Sequence, residues 1–177
     1  MVSRSFPLLF ASALVCAAAT VPRPAPELMI KHANGGETRL SSFKGKVVAL
    51  EFILTTCQHC QNSSKHINVI YNQLGSQGFT AVGVAVNQMS QMFIADFVST
   101  LRINYFIGYQ HHDAAVAFLQ HDPKLVVMFP QFVLIDRKGN IRYQFPGTDK
   151  HFEDEEKSLR EKVLLLLKEG SGAPGKK

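Results

Sequence analysis

The chain has no tryptophan, only three cysteines, and no uninterrupted apolar run of the ~20 residues that a membrane-spanning helix needs. Without tryptophan, thirteen phenylalanines carry most of the aromatic packing. The formal net charge is a modest +5 and no long basic block is present. That charge reads as solvated surface, and it excludes the concentrated basic face of a nucleic-acid binder. No internal repeat is visible. What is present is ordinary for a globular protein: 177 residues at 46% apolar content are enough for one domain with a sizeable core.

The first nineteen residues read as an address. Arg4 supplies a positive start, Phe6 to Val15 an apolar stretch, and Ala17-Ala18-Ala19 a small-residue cleavage site. This pattern predicts export to a periplasmic or other extracytoplasmic compartment, with a membrane anchor as the alternative if the leader is not removed. Cys16 raises lipidation, but Val15 directly before it fits a lipid-attachment box poorly. Removal of residues 1–19 would leave Cys57 and Cys60 as the only cysteines, in a disulfide-permissive compartment.

Cys57-Gln58-His59-Cys60 lies between an apolar run, Val47 to Leu54, and a helical pattern. The first sulfur would sit at a helix N-terminus, where the macrodipole favours a thiolate, the nucleophile of disulfide exchange. A bridge across so short a loop removes little unfolded-state entropy, so it would be nearly useless as a structural staple. Redox chemistry or metal binding remains. For metal, Cys57, Cys60, His59 and His66 do not form a closed four-ligand spacing. His111-His112 and His121 read as surface residues.

Around this motif the chain divides into four parts. After the leader, Thr20 to Pro26 is Pro-rich and predicts an extended linker; 27–169 predict one domain, and 170–177 a flexible tail. Within the domain, Leu28 to His32 and Glu37 to Leu40 flank Asn34-Gly35-Gly36, a hairpin signal. The near-continuous apolar character of 47–54 predicts a central strand covered on both faces. Ile67, Ile70, Tyr71 and Leu74 recur at helical spacing in Gln58 to Leu74, and Phe79 to Val86 predicts a second buried strand. A strand–helix–strand unit of this length implies a parallel pair with a right-handed crossover. Met89 to Leu101 predicts a helix with Phe93, Phe97 and Leu101 on one stripe. Tyr105 to Tyr109 predicts a short strand and Asp113 to Gln120 a short helix. Phe132 to Ile135 and Ile141 to Phe145 predict an antiparallel hairpin, and Glu153 to Glu169 a final amphipathic helix.

That order, with Gly45-Lys46-Val47-Val48, the CxxC turn, the 89–120 insertion, and Phe129-Pro130-Gln131-Phe132-Val133-Leu134-Ile135-Asp136 followed by Gly139, resembles the thioredoxin superfamily. Within it the chain looks most like the exported TlpA/ResA group, related to the AhpC/TSA redoxins, over roughly residues 27–169. The resemblance implies an α/β thioredoxin-like fold: a central mixed sheet flanked by helices, an N-terminal hairpin, and a helical insertion before the cis-proline strand.

It also implies a thiol–disulfide oxidoreductase without cofactor or metal. Its partners would be proteins carrying disulfides or thiols, and a membrane-bound redox protein would recycle the dithiol. Cys57 would be the exposed nucleophile and Cys60 the buried resolving thiol. Glu51, six residues before Cys57, stands where thioredoxins carry a buried acid. Strand alternation puts it on the face of Ile53, beneath the turn, where desolvation would raise its pKa into the working range of a proton shuttle. Pro130 matches the cis-proline that faces the dithiol, and Phe129 replaces the small or β-branched residue usual before it, so both would contact substrate. His59 would tune the potential towards oxidation, whereas the TlpA/ResA group is usually reducing. Thr55-Thr56 replace a segment that usually ends in tryptophan. A peroxiredoxin-like thiol peroxidase is the first alternative, although Leu54 occupies the position of its usual threonine; a metal-binding redox chaperone and a redox-inactive interaction protein are the others.

Overall fold

The computed structural model describes residues 20–169; the expectations for the leader with Cys16 and for the tail lie outside the described residues. Its eight strands are β1 (Arg23–Pro24), β2 (Met29–Lys31), β3 (Glu37–Arg39), β4 (Val47–Ile53), β5 (Phe79–Ala85), β6 (Phe106–Tyr109), β7 (Gln131–Ile135) and β8 (Asn140–Phe145). The helices are α1 (Gln58–Leu74), α2 (Ile94–Leu101), α3 (His112–Leu119) and α4 (Glu155–Glu169). All strands join one mixed sheet in the order β1-β8-β7-β4-β5-β6-β2-β3.

β4 lies near the middle, parallel to β5 and antiparallel to β7, and every one of its residues is buried. Its apolar residues therefore serve two cores by simple alternation. Val47, Ala49 and Ile53 pack with Cys60, Ile67 and Ile70 of α1, and with Leu159 and Val163 of α4. Val48, Leu50 and Phe52 face the other side, against Phe118 and Leu119 of α3 and the 3-10 turn at Leu40–Phe43. Glu51 has the phase of Ala49 and Ile53, so the pleat sends the one charged residue of β4 towards α1. The β4–α1–β5 crossover and the β7–β8 hairpin are as expected.

Three expectations change. The 20–26 segment is extended, but it is not a free linker. Arg23 pairs in register with Ile141, Ala25 N–H donates to Gly139 O, and the Arg23 guanidinium donates to Phe118 O and to the Gln144 side chain. A two-residue strand containing proline is tolerated there because it borders only β8, at the edge of the sheet. The helix expected from Met89 starts instead at Ile94, after a 3-10 turn at Ser90–Met92, so Phe93 precedes it and is 44% exposed. The final helix begins at Glu155, and a 3-10 turn at Lys150–Asp154 leads into it. That turn is held by His151, whose buried ring stacks on Phe145 at 4.2 Å and on Phe132 at 5.4 Å.

Candidate active site

The dithiol turn follows β4 directly. Cys57 is the N-cap of α1, with extended backbone dihedrals, and its sulfur accepts the Cys60 N–H at 3.4 Å. One of the unpaired amides of the helix N-terminus, that of Cys60, thus points at the first sulfur. One turn of helix turns Cys60 inward. Both thiols are free: Cys57 is half-buried, while Cys60 is fully buried and accepts the Leu54 N–H at 3.5 Å. Burial, followed by the neighbouring Cys57 and Glu51, pushes the Cys60 thiol well above the ordinary thiol range. One sulfur is half-buried and accepts a backbone amide, and the other is sealed inside the fold.

Glu51 is fully buried beneath this turn. Its Oε1 accepts the Tyr105 hydroxyl at 2.5 Å and the Ser64 hydroxyl at 2.9 Å. Its Oε2 is buried without a hydrogen-bond partner among the described residues, which leaves that oxygen to take a proton. Desolvation raises the carboxyl to about 8, against the two hydroxyls, which favour its charged form. Room for the carboxyl comes from Gly83, its register partner on β5. A Cβ there would lie 3.2 Å from Glu51 Oε1 and 2.3 Å from Ile107 Cδ1.

A second acid meets α1 at the neighbouring serine. Glu155, the first residue of α4, is buried, accepts the Ser63 hydroxyl, and sits 3.0 Å from His66 Nδ1. Burial raises its carboxyl as well, and its charge adds a small upward push on Glu51. His66 is thus paired to this carboxylate and does not join the cysteines. His59 is exposed on the first turn of α1 and makes no hydrogen bond or ion pair among the described residues.

The Phe129–Pro130 peptide is cis and opens β7, the neighbour of β4. Pro130 is buried; Phe129 is half-buried and meets the His112 ring edge-on at 5.9 Å. Two contacts fix this loop. The Gln131 side-chain amide donates to Met128 O at 2.7 Å, and Gly147 packs flat against its backbone. A Cβ on Gly147 would stand 2.5 Å from Met128 O and 2.9 Å from Pro130 O, closer than any side chain tolerates. The loop therefore rests on the 146–149 turn with no side chain between them. Leu125, Val126 and Met128, all more than half exposed, precede the proline.

The sequence singles out Cys57, Cys60, Glu51 and Pro130 as candidates, and it carries no sign of Tyr105, Ser64, Gly83, Glu155 and Gly147, which the fold brings against Glu51, against α1 and against the proline loop. In the sequence Tyr105 marks only the start of an expected strand. Nothing local marks a tyrosine 54 positions from its acid or a glycine against a distant carbonyl.

The AhpC/TSA family profile matches residues 21–144. The chain is 27% identical over 131 residues to the thiol-disulfide oxidoreductase ResA of Geobacillus kaustophilus, an alignment covering 74% of this chain and 72% of that protein. Among solved structures it resembles a thiol:disulfide interchange protein of the thioredoxin family from Chlorobium tepidum, with a TM-score of 0.67, 25% identity, and coverage of 85% and 99% of the two chains. A secreted thiol-disulfide isomerase from Corynebacterium glutamicum superposes with a TM-score of 0.68 at 22% identity, covering 81% and 85%. The thioredoxin-like fold expected from the order of elements is the fold these structures share.

Proposed function

The chain belongs to the AhpC/TSA family, and on that premise we propose that it is an exported thiol–disulfide oxidoreductase of the TlpA/ResA type, working through the Cys57/Cys60 dithiol on protein disulfides. The asymmetry of the two sulfurs over a buried carboxyl is the observation that carries this reading.

In the reducing direction the Cys57 thiolate attacks a client disulfide. A bond forms between Cys57 and one client sulfur, and the other client sulfur leaves as a thiolate that takes a proton from solvent. Cys60 then attacks Cys57 Sγ, closing the Cys57–Cys60 disulfide and expelling the second client thiolate. The client gains two electrons and the dithiol loses two. Because burial holds Cys60 protonated, its proton must go to a base as it attacks, and the free Oε2 of Glu51 is the acceptor this site offers. Run backwards, the same steps oxidise a client. A separate redox partner, expected in the membrane, resets the pair.

Export is supported by the leader-like pattern of residues 1–19. No helix among the described residues is long and apolar enough to cross a membrane. The secreted Corynebacterium protein is consistent with the same placement.

Equilibration in redox buffers, followed by alkylation and mass spectrometry, tests the couple. The two cysteines should convert together as one two-electron pair, and conversion as independent thiols would overturn the reading. A midpoint near ~−270 mV would make the protein a reductase, and one near ~−120 mV an oxidant.

The Phe129–Pro130 loop faces the client in this reading, so its seat on Gly147 matters for function. Gly147→Ala should lower the rate with a protein disulfide by about tenfold or more, since misplacing a binding element by ~1 Å can cost about 10²-fold. Alkylation of Cys57 by iodoacetamide, which needs no docking, should be unchanged. Parallel losses in both assays would mean that the variant acts on the fold and not on docking.

A further inference from the structure

A cleft of about 190 Å³ opens beside the dithiol turn, between it and α2. Thr55, Thr56 and Gln61 line one side, and Phe93, Asp96, Phe97, Thr100 and Leu101 of the α2 segment the other. The volume falls short of the ~300 Å³ at which sites for small ligands begin, and suits one long side chain. Thr56 is adjacent to Cys57, so whatever enters the cleft lies next to the reacting sulfur.

The near wall is fixed. Asn87 Oδ1 accepts both the backbone N–H of Thr55, at 2.9 Å, and its hydroxyl, at 3.3 Å. The Gln61 side chain donates to Thr55 O at 3.1 Å from the first turns of α1. The far wall offers two aromatic rings: Phe97 is buried, whereas Phe93 keeps 44% of its surface in solvent. Asp96 stands beside these rings, exposed, and its carboxylate has no hydrogen bond or ion pair among the described residues. A trough with two phenylalanine rings and one carboxylate that has no cationic side-chain partner matches a side chain that has an apolar stem and a cationic head.

We propose that this cleft is a client subsite, and that it takes a lysine or arginine next to the client cysteine, with the stem along Phe93 and Phe97 and the head on Asp96. The proposal rests on the oxidoreductase reading and adds to it a class of client. The net charge of +5 works against it at long range, because a positive protein repels cationic chains. A preference for basic clients would therefore have to be local. Asp96 also lies in the first turn of α2, where its charge suits the helix dipole. That role would appear in stability, not in a choice between clients.

Short peptides with one cysteine, presented as the mixed disulfide with nitrothiobenzoate and carrying arginine, norleucine or glutamate beside it, separate these roles. Release of nitrothiobenzoate from the arginine peptide should be about fivefold faster than from norleucine, the scale of one exposed ion pair, and slower still from glutamate. In Asp96→Asn the arginine-to-norleucine ratio should fall to about one. Equal rates for arginine and norleucine, or a ratio unchanged in Asp96→Asn, would overturn the subsite and leave the oxidoreductase reading standing. If no peptide releases nitrothiobenzoate, both readings fall.

Discussion

Replacing Cys57 with serine should remove exchange with protein disulfides, a loss of at least about 10³-fold, because Cys60, the other described thiol, is fully buried and held protonated. Cys60→Ser should behave differently. Its first step, the release of one client thiolate, should proceed at nearly the native rate, since the Cys57 sulfur and the backbone amide that donates to it are untouched. Turnover should then stop with client and enzyme joined. A peroxidase would reverse this pattern of dependence on clients: its first step would be consumption of hydroperoxide and would need no protein disulfide.

Glu51→Gln carries the second large effect, and it has two readouts. In the native protein, the resolving step should quicken with rising pH until Glu51 is ionised, near its raised value of about 8. Glutamine cannot accept the Cys60 proton, so that rise should vanish and the step should slow by about 10²-fold, the usual scale of general-base help.

Stability should change in the opposite sense. The buried carboxyl keeps its proton up to about 8, whereas in the unfolded chain it ionises at 4.5. Between those values the folded state binds the extra proton, so native stability falls as pH rises, by about 1.4 kcal/mol per pH unit from this group. Glutamine removes that slope. Urea unfolding at pH 5 and pH 8 should therefore show Glu51→Gln gaining on the native protein at the higher pH. A constant difference between the two would mean that Glu51 is not held protonated in the fold.

The elements that build this site were legible where local pattern and tertiary role coincide. β4 reads as a central strand because both of its faces are apolar, and alternation alone sent Glu51 towards the turn. The recurrence of Ile67, Ile70 and Leu74 marked α1 for the same reason. Legibility ended where a residue answers to a distant partner. Arg23 and Pro24 are too few to look like a strand, and their pairing depends on β8. Phe93 fits the helical stripe on paper, yet the 3-10 turn before α2 rotates it outward, into the cleft. Ser64 and Tyr105 reach the same carboxylate oxygen from α1 and from the segment before β6, which no spacing could announce.

The most direct test of the account is peptide mapping of Cys60→Ser after reaction with a disulfide-bonded client. The account predicts a mixed disulfide between the client and Cys57, formed in stoichiometric amount and absent from Cys57→Ser. A client bound to Cys60 in Cys57→Ser, with no adduct on Cys57 in Cys60→Ser, would contradict it.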